Sequence, residues 1–294
     1  LRRGAAVLAG SWLLSGCGQQ PATPGPAASQ SPTPTTAQAS TPTATVGETG
    51  QPAATAATGG PDLVVARGGE PEALVRRALA ALGGIERFVH KGDDVIVKPN
   101  ICVAYHTYEY AATTNPWVVA TLVKLAREAG ARRVRVMDFP FGGTAEEAYV
   151  KSGIQEQVLA AGGEMELMSK MKYVTTDIPQ GVSLRKCDIY DDILKADVVI
   201  NVPIAKHHSL ARLTLGMKNL MGTILLREAM HYPLGQRLAD LTSRVRPALT
   251  IVDAVRILTS GGPSGGNLNA VKKLDMVIAS TDIVAADSYA TTLF

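Results

Sequence analysis

Residues 62–98, DLVVARGGEPEALVRRALAALGGIERFVHKGDDVIVK, decide the fold class. The run 62–67 (DLVVAR) reads as a strand, 71–89 sets apolar residues at helical spacing behind Pro71, and 94–98 (DVIVK) reads as a second strand. This order implies a βαβ opening. Strands made of continuous Val and Ile are buried on both faces, as in a parallel sheet covered by helices.

The same rhythm continues downstream. Asn115 followed by Pro116 is a helix cap with a first-turn proline, and Val118, Val119, Leu122, Leu125, Ala126 and Ala129 form one apolar face up to a stop at Gly130. A strand at 134–138, a Gly142-Gly143-Thr144 turn and a helix from about residue 145 follow. Two β-rich runs between 171 and 190 flank Pro179-Gln180-Gly181 and predict an antiparallel hairpin insertion. Strand 197–202 (DVVINV), a Gly-punctuated polar segment to Gly222, a helix over 235–246, strands 249–253 and 276–279 and a last helix from about 283 complete the pattern. The expectation is an α/β domain over 61–294: a mostly parallel sheet with helices on both faces and one antiparallel hairpin.

Upstream the composition changes. Arg2 and Arg3 precede an uncharged run from Gly4 to Leu14, too short to span a bilayer but of signal-peptide size. It ends in Leu14-Ser15-Gly16-Cys17, which resembles a bacterial lipobox with Cys17 as the lipidated residue, and the paired arginines resemble a twin-arginine signal. Residues 18–60 are Pro, Thr, Ala, Ser, Gln and Gly with Glu48 as the sole charge and Val46 as the sole large aliphatic side chain, a tether with too little apolar surface to offset the entropy of ordering it. Such a tether reaches on the order of 35 Å from its anchor. The expected location is therefore the cell envelope, on the outer face of a bacterial membrane. Lacking an initial Met and stopping at Phe294 inside a helical pattern, the sequence reads as truncated at both ends.

Charge narrows the partners. The 29 Lys and Arg exceed the 26 Asp and Glu by three, and by one once Arg2 and Arg3 leave with the leader. Aromatic residues are 5% and no basic stretch interleaves with them, so nothing in the sequence points to nucleic acid. With Cys17 lipidated, Cys102 and Cys187 are too few for a four-Cys iron–sulfur cluster within the chain. They are candidates for a disulfide, or for a sheet-packing thiol (Cys187) and a site-edge thiol (Cys102).

Ligands of open parallel sheets bind outside the carboxyl ends of the strands. The predicted strand exits carry Lys98-Pro99-Asn100, Asp138, Asn201 leading to Lys206-His207-His208, Asp253, and Ser280 with Asp282. Residues 201–222 (NVPIAKHHSLARLTLGMKNLMG) add Lys218 and Asn219 to the two histidines. Adjacent histidines on a regular element face opposite ways, so one serves a site while the other serves structure. His207 is the candidate proton-transfer residue with Lys206, and Lys98, Asn100, Lys218 and Asn219 are candidate ligand-binding residues. Asp138, His208 and Asp253 form a candidate divalent-metal set, although no HExxH or paired-Cys zinc spacing is present. Gly142-Gly143-Thr144 is a weak candidate anion turn, and the loop from Gly261 to Gly266 a candidate lid.

These same segments carry a resemblance. VIVKPN with ATTNPWVV, Asp138 followed by GGT, NVPIAKHHSL with LGMKNLMG, and LTIVDAV before the VIAS strand resemble, in order, the domain of unknown function 362 family, over roughly residue 62 to the end. The resemblance implies a shared site at Lys98, Asn100, Lys206, His207, Lys218 and Asn219, but no assigned activity. Many members carry ferredoxin-like iron–sulfur segments, which imply redox metabolism; this chain has no Cys-rich motif. The expected function is an extracytoplasmic enzyme of unassigned reaction acting on a small anionic ligand. The alternative is a non-catalytic ligand-binding or redox-accessory lipoprotein working with a redox partner protein at the membrane.

Overall fold

The structure, a computed structural model, describes residues 60–294. The leader, Cys17 and the tether up to residue 59 lie outside the described residues. In chain order the elements are β1 (Leu63–Arg67), α1 (Pro71–Ala81), β2 (Asp94–Pro99), α2 (Pro116–Glu128), β3 (Arg133–Val136), α3 (Ala145–Lys151), α4 (Ile154–Ala160), β4 (Glu164–Met165), β5 (Tyr173–Asp177), β6 (Lys186–Tyr190), α5 (Asp191–Lys195), β7 (Val198–Val202), β8 (Ile204–His208), β9 (Arg212–Thr214), α6 (Gly216–Asn219), α7 (Leu234–Arg244), β10 (Leu249–Leu258), β11 (Val271–Ser280) and α8 (Ile283–Thr291).

The main sheet runs β1-β11-β10-β7-β2-β3-β4, with β8 joined to β10 and β9 to β8. Every pairing from β10 through β7, β2 and β3 to β4 is parallel. Alternation along the strands sends side chains to two apolar layers. Val95 and Val97 of β2, with Val198 and Ile200 of β7, pack against α1, α2 and α4. Ile96 and Val199 point the other way, toward Ile189 and Tyr190 of the β5–β6 hairpin and Leu241 of α7. The sheet is thus mostly parallel and covered on both faces, with the small antiparallel pair the Pro-Gln-Gly signal predicts.

Four local expectations need correction. The helix expected over 71–89 ends at Ala81, because Gly83 and Gly84 adopt φ of 100° and 89°, a region glycine enters without strain. The expected βαβ opening does not make neighbours: β1 and β2 point the same way, yet β11, β10 and β7 lie between them, and β1 pairs antiparallel with β11. The last two strands are ten residues each and pair antiparallel with one another, so antiparallel structure extends beyond the predicted hairpin. Residues 201–222 are not a polar loop but β8, β9 and α6, because the overhang of β10 offers β8 an unpaired edge and buries Ile204, Ala205 and Lys206.

Candidate functional site

From β2 the chain crosses to β3 on one side and later returns to β7 on the other, so the carboxyl ends of β2 and β7 form a topological switch point. Lys98 and Asn201 face each other in that pairing. Beyond it, Pro203 breaks the ladder and the chain continues as β8 beside β10, raising a wall past the strand ends. A cavity of about 530 Å³ opens here, lined by residues that include Asn100, Cys102, Asp138, Lys206, His208, Thr214, Lys218, Asn219 and Arg227.

The floor is a polar network. Lys98 Nζ donates to Asp138 Oδ1 at 2.8 Å, and Asp138 Oδ2 accepts from the Ile101 amide at 2.6 Å. Burial pulls the Lys98 pKa below its usual value, against the opposing pull of the Asp138 charge. Tyr149 clamps the backbone at this strand exit, its hydroxyl accepting from Asp138 N and donating to Asp138 O. Gly222 lies over the pair: a Cβ there would run into the Asp138 carboxylate and stand 2.7 Å from Lys98 Nζ, so this position needs glycine. Next to the pair runs a one-way chain of amides. Lys206 donates to Asn100 (2.9 Å), Asn100 to Asn219 (3.0 Å), Asn219 to Asn201 (2.9 Å), and Asn201 to the Gly216 carbonyl (3.1 Å). It locks the ends of β2 and β7 to β8 and α6, and each bond fixes the orientation of the next amide.

The three lysines differ. Lys98 is paired with a carboxylate and lies behind Asp138. The three protons of Lys206 are matched by three neutral oxygens, Asn100 Oδ1, Ala112 O at 2.6 Å and Pro263 O at 2.9 Å, so its charge is solvated but not neutralised. Lys218 makes no ion pair among the described residues, and burial together with the Lys206 and Arg227 charges pushes its pKa down to about 8. Arg227 donates to the carbonyls of Phe139 and Pro140, stacks over the Phe139 ring at 4.7 Å and likewise has no carboxylate partner among the described residues. Glu228 is the one lining carboxylate besides Asp138. The cavity therefore holds buried positive charge in excess.

The histidines divide as alternation on a strand requires, but with the roles exchanged. His208 lines the cavity and His207 does not. His207 Nδ1 accepts the Gly262 amide at 3.1 Å, tying β8 to the loop expected as a lid. His208 Nδ1 accepts the amides of Leu210 and Ala211 at 3.1 and 3.2 Å. Burial and the nearby Lys218 and Lys206 push its pKa down to about 4. With Nδ1 engaged as acceptor, the neutral imidazole carries its proton on Nε2 and acts in the cavity as a donor rather than a base.

The candidate metal set is not assembled. Asp253 is absent from the cavity wall; its carboxylate accepts the amides of Asn115 (2.7 Å) and Val255 (2.9 Å), fixing the entry to α2. Asp138 is held by Lys98 and Ile101, and no group of three or more His, Cys, Asp or Glu is placed to hold a metal ion among the described residues. The Gly142-Gly143-Thr144 turn opens α3 with a capping box, in which Thr144 and Glu147 satisfy each other's amides, so those donors are spent within the chain. Cys102 and Cys187 are both free thiols. Among the cavity residues that the sequence analysis did not single out are Arg227 and Thr214. Arg227 sits in a 3-10 turn without periodicity, and Thr214 ends a three-residue strand too short to show alternation.

A thylakoid-associated protein of Synechocystis sp. is 27% identical over 234 residues, covering 74% of this chain and 68% of that protein. Among solved structures, the lactate racemase apoprotein from Thermoanaerobacterium thermosaccharolyticum superposes with a TM-score of 0.47 at 12% identity, over 78% of this chain and 56% of that one. A protein from Thermotoga maritima gives a TM-score of 0.44 at 13% identity, over 76% and 59%. The chain thus spans little more than half the length of those two structures. Residues 95–292, from β2 to the end of α8, match one family throughout, and the chain belongs to the family described as Domain of unknown function (DUF362).

Proposed function

We propose that this protein is an enzyme acting on a small anion, a carboxylate or phosphate, bound in the switch-point cavity. The observation that carries the reading is the unneutralised charge of Lys206, Lys218 and Arg227 around one cavity. Buried charge without a partner is costly, and an anionic ligand offsets that cost. Lys218 and Arg227 face the anion, Lys206 supplies positive potential from beneath, and the His208 Nε2–H adds a neutral donor. With a pKa near 8, Lys218 is the group suited to moving a proton at neutral pH.

Calorimetric titration of the full chain with sodium phosphate and with sodium pyruvate, at fixed ionic strength, tests binding. Saturable heat with at least one anion, weakened about tenfold or more in Lys218→Met and in Arg227→Met, is expected. No saturable binding of either anion sinks the proposal. Catalysis of solvent deuterium exchange into pyruvate, rising with pH through about 8, marks an enzyme. Binding without exchange favours the non-catalytic ligand-binding lipoprotein.

The N-terminal residues support an envelope location, with Cys17 as lipid anchor and the tether carrying the domain away from the membrane. Labelled palmitate incorporated into the full chain and lost in Cys17→Ala is the expected result; no incorporation overturns the anchor.

A further inference from the structure

Cys102 takes no part in the proton-transfer reading, yet it lines the cavity with 6% of its surface exposed. Its sulfur lies 3.1 Å from Lys206 Nζ, whose protons are already matched by neutral oxygens. The Lys206 ammonium has no carboxylate partner among the described residues, and the sulfur is a further polar atom at its head. The other hydrogen-bond partners of the sulfur are backbone carbonyls, Ala112 O at 3.4 Å and Pro263 O at 3.7 Å.

A second observation points independently to a ligand at this spot. Thr214 is 3% exposed, and its hydroxyl is a buried group without a hydrogen-bond partner. It stands directly opposite Lys206 in the β8–β9 pair, so the two side chains share one face of the sheet, and both line the cavity. Buried hydroxyls are normally satisfied, and a ligand atom would satisfy this one.

We propose that Cys102 is the nucleophile of the cavity and that its ligand is an anion bearing a carbonyl, of the 2-oxo acid class. The carboxylate lies against Lys218 and Arg227, and the carbonyl oxygen lies toward Thr214. The Sγ–C bond forms, the carbonyl π pair moves to oxygen, and the thiol proton ends on that oxygen. The product is a thiohemiketal, with no leaving group and no change of oxidation state. The Thr214 hydroxyl is the donor left for the oxygen that gains charge on attack. This inference rests on the anion reading above.

The test alkylates the full chain with iodoacetate and with iodoacetamide and maps the modified peptides, with Cys187 as internal reference. Expected is modification of Cys102 in the folded protein about tenfold faster than Cys187, with the anionic reagent faster than the neutral one and pyruvate protecting. With carbonyl-labelled pyruvate, a tetrahedral carbon signal appears that is lost in Cys102→Ser. Thr214→Val, which removes a hydroxyl that bonds nothing among the described residues, keeps its Tm while pyruvate protection weakens about five- to tenfold. Lys206→Met slows alkylation, but its burial endangers folding, so Thr214→Val carries the test if that variant fails to fold. Cys102 inert to both reagents, or no adduct signal, overturns the nucleophile. Reactive Cys102 with iodoacetamide the faster reagent overturns the anionic ligand instead.

Discussion

Within the sheet, on β3 beside the middle of β2, Arg135 is 3% exposed and fully compensated. It meets both oxygens of Asp94 at 3.1 and 2.8 Å, Glu166 at 2.9 Å and Asp192 at 2.6 Å, and Lys172 completes the cluster by bridging Glu166 and Asp192. Although burial works against its charge, these bonds hold the guanidinium pKa above its usual value. At the carboxyl ends of the same strands, Lys206, Lys218 and Arg227 are buried or half-buried without a carboxylate among the described residues. The sheet is continuous between the two regions; what differs is whether charge is closed within the chain. A closed network holds strands together, whereas an open one holds potential for something else.

The comparison breaks most visibly at Arg135. Arg135→Met strands Asp94 and leaves Glu166 and Asp192 to Lys172 alone, and should cost about 3–5 kcal/mol in urea denaturation, while anion binding by the refolded protein stays near wild type. A loss below about 1 kcal/mol would show that the Arg135 cluster is not structural. Next in size is Gly222→Ala, which pushes a methyl onto the Lys98–Asp138 pair; about 1–3 kcal/mol of stability and most anion binding should be lost together. Loss of stability alone would place that pair outside the site.

Lys218→Met should behave in the opposite sense to Arg135→Met, weakening anion binding while raising stability. The folded pKa of Lys218, about 8, lies below its usual 10.5, so between these values the folded state binds fewer protons than the unfolded and stability rises with pH. The gain from Lys218→Met should therefore be full below about pH 8 and vanish above about 10.5 in Tm measured against pH. A destabilised variant would mean that the lysine is closed into the fold after all. The smallest effect sharpens the comparison. Burial raises the carboxyl pKa values of Asp253 and Asp287 to about 6 despite their backbone amide partners. The stability each contributes is present below the unfolded value near 3.8 and lost as pH rises through about 6. Tm should fall modestly across that window, and Asp253→Asn with Asp287→Asn should flatten the slope.

Legibility in the sequence followed the range of the interaction concerned. α2 was legible because its cap, first-turn proline and apolar face all lie within one short segment, and the Asn115 side chain indeed accepts the Trp117 amide at 3.0 Å. The buried strands were legible because two apolar faces leave a continuous Val and Ile run. The polar strand exits were legible through the rule for open parallel sheets, and of these Asn100, Asp138, Lys206, Lys218 and Asn219 do converge on one cavity. Asp253 has the same sequence signature but a different environment, since it faces the amide of Asn115, 138 positions away. The exchange between His207 and His208 was half legible: alternation guarantees that one faces the cavity, but not which.

The sequence by itself determined the elements and the presence of polar residues at their ends, because capping, periodicity and β-propensity act between residues close along the chain. Tertiary structure alone decided the rest. Strand order set three strands between β1 and β2, the β10 overhang turned 204–208 into a strand, and that strand carried Lys206 over Asn100 and Cys102. Whether each lysine is paired, solvated or open depends on groups as far as 121 positions away, brought within hydrogen-bonding distance only by the fold. Charge compensation is a property of that spatial neighbourhood, and no local pattern encodes it.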